Sequence, residues 1–344
     1  MATLVTATAT PVHAYAQSGP NFERGCQFLQ SQRWPTGLTG AVMQNMAHTC
    51  FRIFIVDDSG SMGASDGARI VTTSRGLHGK KVNCTRWAEL AEAVKFHAEF
   101  AYQAQAPSEF RLLNAGNPVQ IGNVEDGGAS RNYIMQLMNG SPGGVTPLCK
   151  HILQVANLIR TMETDLRAQN QMVSLTIFTD GEASDGNVAH ALKQLYNLPV
   201  RIIIRLCTDQ ESIVNYWNDV DANLELHLDI LDDLFGENDE VRKHNKWLNY
   251  AEPLHRCREW GSHFKEFDLL DEAKLNMDQV RTVCALILGG DKNAYPHPAA
   301  DKAGFLNYVK RQQGTQPTFM NPKTKTLSPW IDTGKLGGGG CTIC

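Results

Sequence analysis

The chain has 344 residues, with 32 Lys and Arg against 36 Asp and Glu, a net charge of −4. That near-balance excludes a partner held mainly by charge, so no nucleic acid and no bulk electrostatic grip on a membrane is expected. Hydrophobic content of 42% and charged content of 20% are those of a globular protein with ample length for a core, and no apolar run approaches a membrane-spanning length.

Residues 1–20 are rich in Ala and Thr, lack a basic n-region and an apolar h-region, and read as a disordered start without a secretory signal, so a cytoplasmic protein is expected. Residues 21–46 read as a helical preface broken at Trp34-Pro35-Thr36-Gly37. The run Phe51–Val56 is apolar, bounded by turn residues, and reads as a buried parallel strand. It ends in Asp57, Asp58, Ser59 and Ser61, a cluster of small oxygen-bearing side chains that would lie at the strand's C-terminal end, where open α/β sheets place ligands. Carboxylate and hydroxyl oxygens at alternate positions suit a hard divalent cation.

Two short β-prone runs around a glycine-bearing turn, within residues 63–83, predict a hairpin. A helix follows over about 85–105, with Trp87, Leu90, Val94, Ala98 and Ala101 on one stripe and Phe96 and Phe100 on another. His97 in its middle reads as a satisfied core or boundary histidine. A hairpin is expected from 110–113 and 119–121, and short or long helices over 131–138 and 147–168. Strands at 173–179, 200–206 and 224–230 alternate with helices at 188–195 and 211–217. Residues 241–259 read as a helix interrupted near Pro253, 267–269 as a last short strand and 277–288 as a last helix. The acidic stretch 219–240 lacks the spacing of an EF-hand loop and reads as a solvated rim. The whole predicts an α/β fold, a doubly wound and mostly parallel central sheet flanked by helices, with one antiparallel edge. That domain would span 47–290, and 291–344 would be a Pro-, Lys- and Gly-rich tail with one docked helical turn near 305–309.

Two later loops extend the first cluster. Thr146 lies in Gly143-Gly144-Val145-Thr146-Pro147-Leu148, and Asp180 closes the apolar run 173–179 before Gly181. Asp57-x-Ser59-x-Ser61, a Gly-Gly-x-Thr loop and a strand ending Thr-Asp-Gly, in that order, resemble the metal-ion-dependent adhesion site of von Willebrand factor A domains, over roughly residues 45–290. The resemblance implies a Mg²⁺ site, with Mn²⁺ or Ca²⁺ as substitutes, formed by Asp57, Ser59, Ser61, Thr146 and Asp180. It also implies a non-catalytic binding module in which a protein partner's Asp or Glu takes an open coordination position. Gly60 and Gly181 would let the backbone turn beside the ion, with Asp58 facing away and Glu182 and Asp185 at the rim. The bland alternative is that the hydroxyls cap helices and the aspartates end strands.

The other functional alternative is a Mg²⁺-dependent phosphohydrolase with Asp57 as nucleophile or base. Position 59 is Ser rather than a second Asp, no Lys precedes Lys150 in the later loops, and neither a Gly-x-x-x-x-Gly-Lys loop nor a Gly-x-Ser-x-Gly elbow occurs. An enzyme is therefore not expected. The hairpin carries Arg69, Arg75, Lys80 and Lys81, with Arg86 just beyond, either a solvated loop tip or a basic rim that steers an acidic partner to the ion. The nine cysteines are scattered, without a Cys-x-x-Cys pair, and read as reduced thiols. The last four residues, Cys341-Thr342-Ile343-Cys344, follow a Gly run and fit a Cys-a-a-X prenylation signal at Cys341 with an unusual final residue. Residues from 291 on carry seven Lys/Arg against three Asp, so one lipid and a weakly basic tail would give reversible, peripheral membrane association.

Overall fold

The computed structural model describes residues 21–72, 78–122, 126–208, 210–224 and 228–338. Cys341 and Arg75 lie outside them. Helices α1 (Phe22–Ser31) and α2 (Thr36–Asn45) lead into β1 (Thr49–Val56). An antiparallel pair, β2 (Gly67–Thr72) and β3 (Gly79–Cys84), precedes α3 (Arg86–Gln103), β4 (Ser108–Leu112), β5 (Val119–Ile121), α4 (Ala129–Leu137) and α5 (Leu148–Ala168). Then come β6 (Met172–Thr179), α6 (Val188–Leu192), β7 (Val200–Leu206), α7 (Glu211–Asn223) and β8 (Leu228–Leu231). The chain continues through α8 (Leu234–His244), α9 (Glu252–Glu259), α10 (Lys265–Asp268), α11 (Met277–Leu288), α12 (Lys302–Gln313), β9 (Phe319–Met320), β10 (Leu327–Ser328) and α13 (Thr333–Gly338).

The central sheet has six strands in the order β5-β4-β1-β6-β7-β8, all parallel except the edge strand β5. From β1 the chain first builds outward through β4 and β5, then returns to β6 and builds the other way. The direction reverses at β1/β6, the position at which such sheets open a crevice beyond their C-terminal ends. Val56 pairs with both Leu112 and Phe178, so three strands end level and the residues after them share one rim.

Alternation along β1 divides the core. Phe51, Ile53 and Ile55 meet α5, α6 and α7, whereas Phe54 and Val56 meet α3, α9, α11 and the preface helices. α3 is capped by Thr85, whose hydroxyl accepts from Ala88 N at 3.1 Å, and buries Trp87, Leu90, Val94, Ala98 and Ala101 as its periodicity predicts.

The second face is charged as well as apolar. Arg52 and Arg205 project there from β1 and β7, both 2% exposed, and α9 lies across them with residues 253–259 all buried. Glu259 accepts from Arg256 Nη1 at 2.8 Å and faces His97 Nε2 at 2.9 Å, while the Arg52 guanidinium stacks 4.5 Å from the Trp260 ring. Gly261 ends the helix at φ +82°, and a Cβ there would stand 1.9 Å from Ser174 Oγ, so only glycine lets α9 approach β6 this closely.

Several expectations are corrected. Residues 265–268 are helical, so the short strand at 267–269 does not form. The interruption expected near Pro253 is present, running from the end of α8 at His244 to the start of α9 at Glu252, with Pro253 in the first turn of α9. The acidic stretch is a solvated rim only in part, at Asp219, Asp239 and Glu240. Asp229 and Glu237 both pair with Arg258, and Asp233 caps α8 through the amides of Phe235 and Gly236. Nor do residues 291–338 form a tail. Phe305 and Val309 of α12 are buried, as are Trp330 and Ile331. Asn249 N donates to Trp330 O and Gly79 N to Lys325 O, so this stretch straps α8–α9 and the β2–β3 pair together. His97 is a core histidine, and the seven described cysteines are free thiols. No helix among the described residues is long and apolar enough to cross a membrane.

Candidate metal centre

The three loops foreseen as converging do so at the ends of β1 and β6. Asp57 N donates to Phe178 O at 3.0 Å, which sets the first aspartate beside the second strand's end. The Asp57 carboxylate is fully buried, accepting from Ser59 N at 2.9 Å and from Thr179 Oγ1 at 2.9 Å. Ser59 Oγ lies 3.0 Å from Ser61 Oγ, and Ser61 Oγ donates to Asp180 Oδ1 at 2.8 Å. Hydrogen bonds through the Ser59 amide and the Ser59 and Ser61 hydroxyls thus string the oxygens of Asp57 and Asp180 into one run.

The Thr146 loop is fixed against the first by backbone bonds. Gly143 N donates to Asp58 O at 2.7 Å and Gly60 N to Gly144 O at 3.2 Å. Thr146 itself is half-buried at the rim and exchanges bonds with Ser184, Thr146 N donating to Ser184 Oγ and Ser184 N to Thr146 O. Asp58 faces away from the oxygen run, accepting from Asn114 N and Nδ2 at 2.8 and 3.0 Å. Asn114 Nδ2 also donates to Val145 O, so one side chain after β4 staples the first two loops. Gly60 and Gly181 have no need of glycine's freedom, since neither has a positive φ and a Cβ would meet nothing closer than 3.7 Å. Gly144 does need it, at φ +103° with a Cβ that would press to 2.5 Å from Asn114 Oδ1. Asp185, next to Ser184, caps α5 through the amides of Cys149 and Lys150.

Two acidic side chains, Asp57 and Asp180, are buried close together in this centre. Burial raises the Asp57 carboxyl above its ordinary value, and the neighbouring Asp180 charge pushes the same way against hydrogen bonds from Ser59 and Thr179. Arg86, grouped by its sequence position with the basic rim, is 4% exposed. Its Nη1 donates to Asp180 Oδ2 at 2.8 Å, and its Nε and Nη2 clamp Asp66 at 2.6 and 2.5 Å. This clamp holds the Asp66 carboxyl below its usual range. Arg86 is thus shared between Asp66 and Asp180, one guanidinium against two carboxylates, with Asp57 a third close by.

Of the other described rim cations, Arg69 and Lys81 are engaged away from this centre. Arg69 pairs with Glu92 at 2.7 Å, and Lys81 Nζ sits 4.1 Å over the Phe235 ring. Lys80 is exposed on β3. Among the described residues no three His, Cys, Asp or Glu side chains group as metal ligands. The oxygen set here differs in kind, two carboxylates with hydroxyls, and it fits a hard cation that retains several waters.

Replacing Arg86 by glutamine frees Asp180 Oδ2 and removes a nearby positive charge. Mg²⁺ affinity should rise roughly tenfold, about 1.4 kcal/mol, read by calorimetric titration. A fall in affinity would mean instead that the guanidinium is needed to aim Asp180.

No protein-family model matches the chain, and no curated protein matches it in sequence.

Proposed function

We infer that this protein is a non-enzymatic binding module of the von Willebrand factor A type, recognising protein partners through a Mg²⁺-class cation at the rim of its sheet. The single observation that carries the reading is the oxygen run from Asp57 through Ser59 and Ser61 to Asp180 at the reversal point of the strand order.

Asp57 and Asp180 would balance the charge, Ser59 and Ser61 would offer neutral oxygens, and Thr146 would close the third side directly or through water. A bound divalent cation would supply a positive coordination point for a carboxylate arriving from solvent. The chain's own groups limit which carboxylate arrives: Asp57 and Asp180 are buried, whereas Gly60, Ser61 and Val145 are exposed around them. Val145, 63% exposed beside Thr146, offers a partner an apolar contact next to its acidic side chain. A cytoplasmic setting and peripheral membrane tethering through a prenylated Cys341 belong to the same proposal and rest on sequence alone.

The test is capture of partners from lysate on the immobilised full chain with Mg²⁺, with chelator, and with Asp180→Ala. A partner retained only by the native chain in Mg²⁺ is expected. Partners retained equally in all three conditions would contradict cation-dependent recognition.

A further inference from the structure

A second candidate site lies apart from the oxygen run, in a cavity of about 370 Å³ where the C-terminal strap crosses the end of α8. Two backbone bonds join its sides: Asp332 N donates to Trp247 O at 2.7 Å and Asn249 N to Trp330 O at 2.9 Å. Arg242 lines it from the last turn of α8 and Lys246 from just beyond that helix. Asn321 lines it from the turn after β9, and Asp332 and Lys335 from the start of α13.

The cavity gathers donors without partners. Among the described residues the half-buried Arg242 side chain makes no hydrogen bond, ion pair or ring contact, and neither does the exposed Lys246. Every other buried or half-buried arginine that is described donates to an acceptor. Asn321 Oδ1 accepts from Lys323 N at 2.9 Å and Thr324 N at 3.0 Å. Those two bonds fix the amide's orientation and leave Nδ2 a donor with no acceptor, on a residue only 8% exposed. The Trp247 Nε1, on a residue buried to the same degree, also donates to nothing described. None of these nitrogens is among the sealed, unbonded atoms of the interior, so each keeps some surface. Asp332 is the one carboxylate in the described lining, and Lys335 answers it twice, through Nζ at 2.8 Å and N at 3.0 Å. With that pair closed, the charges of Arg242 and Lys246 stand uncompensated.

We propose that this cavity binds a small phosphate monoester, its phosphate accepting from Arg242, Lys246 and Asn321 Nδ2 and its body lying against Trp247 and Pro329. A guanidinium fork matches phosphate oxygens in geometry. A phosphate monoester carries a charge of about −1.5 to −2 near neutral pH, which two uncompensated cations match better than they match a monoanion. The volume is at the small end of the range of about 300–1,000 Å³ typical of ligand pockets, which favours a body of a single ring. This site does not depend on the cation reading, because none of its residues belongs to the oxygen run.

The probe is phenyl phosphate, titrated calorimetrically into the full chain above the ester's second pKa of about 6. No divalent cation is added, so the outcome is separate from success or failure of the cation site. One site is expected, with phenyl sulfate, nearly the same shape with less charge, weaker by about tenfold or more. Arg242→Gln and Lys246→Gln should each weaken phenyl phosphate by about tenfold. Neither side chain bonds to the rest of the fold, so both variants should unfold at the native urea midpoint. The Trp247 indole N–H resonance should shift on saturation, a readout that needs no variant. Absence of binding, equal affinity for phenyl sulfate, a Trp247 indole N–H unmoved at saturation, or undiminished binding by either folded variant would each overturn the proposal.

Discussion

Glu259→Ala is expected to destabilise the fold by about 3–5 kcal/mol, measured by urea unfolding. The carboxylate is completely buried, bonded to Arg256 and His97 and 3.4 Å from Arg205 and His255. Its removal leaves Arg205 with Glu89 and Arg256 with Glu252, and takes one anion from a buried cluster of guanidinium and imidazole groups, which makes the loss large. Burial works against the Glu259 charge, but Arg256, His255 and His97 outweigh it and hold the carboxyl well below its usual value.

The same cluster sets an acid sensitivity. His97 and His255 are both held by burial below the ordinary histidine value of 6.5. As pH falls through about 6.5 the unfolded chain takes up protons at these rings and the native one does not, so native stability decreases with falling pH. The Glu259 contribution is full above the ordinary carboxyl value of 4.5 and is lost below it, as pH drops toward its depressed native value. Unfolding midpoints should therefore decline in two stages on acidification, and Glu259→Ala should make the lower one shallower.

Asp57→Ala is expected to leave the cation-free fold standing and to abolish its response to Mg²⁺. The buried carboxyl is disfavoured in its charged form, and its loss leaves behind the Thr179 hydroxyl, which also reaches Gly181 O at 3.4 Å. In the native chain, Mg²⁺ at a hundred times its dissociation constant should add about 2.7 kcal/mol of stability through binding to the folded state alone. Lowering the pH should weaken that gain, because a proton competes for the raised Asp57 carboxyl.

The strands of the sheet were legible because each is a short apolar run whose burial depends on its own residues. The oxygen run was legible for a related reason: Asp57, Ser59 and Ser61 are neighbours in sequence, and Thr146 and Asp180 each follow a recognisable local pattern. What escaped were features made by pairing across long separations. α9 reads Glu-Pro-Leu-His-Arg-Cys-Arg-Glu and is polar on average, yet it is buried because Glu259, Glu237 and Asp229 close the charges of its arginines. Arg86 looked like one more surface cation, and only its contacts with Asp66 and Asp180, 20 and 94 residues away, place it inside the centre. Asn114 gave no signal at all, since an asparagine after a strand ordinarily marks a turn. The stretch after residue 290 was misread because two-residue strands and single anchors such as Trp330 leave no periodicity to detect.

Calorimetric titration of Mn²⁺ into the native chain, Asp57→Ala and Asp180→Ala bears most directly on the cation centre. One equivalent bound by the native chain, displaced by excess Mg²⁺ and missing from both variants, is the predicted result. Binding that survives both substitutions, or a native chain that takes up no Mn²⁺, would contradict it.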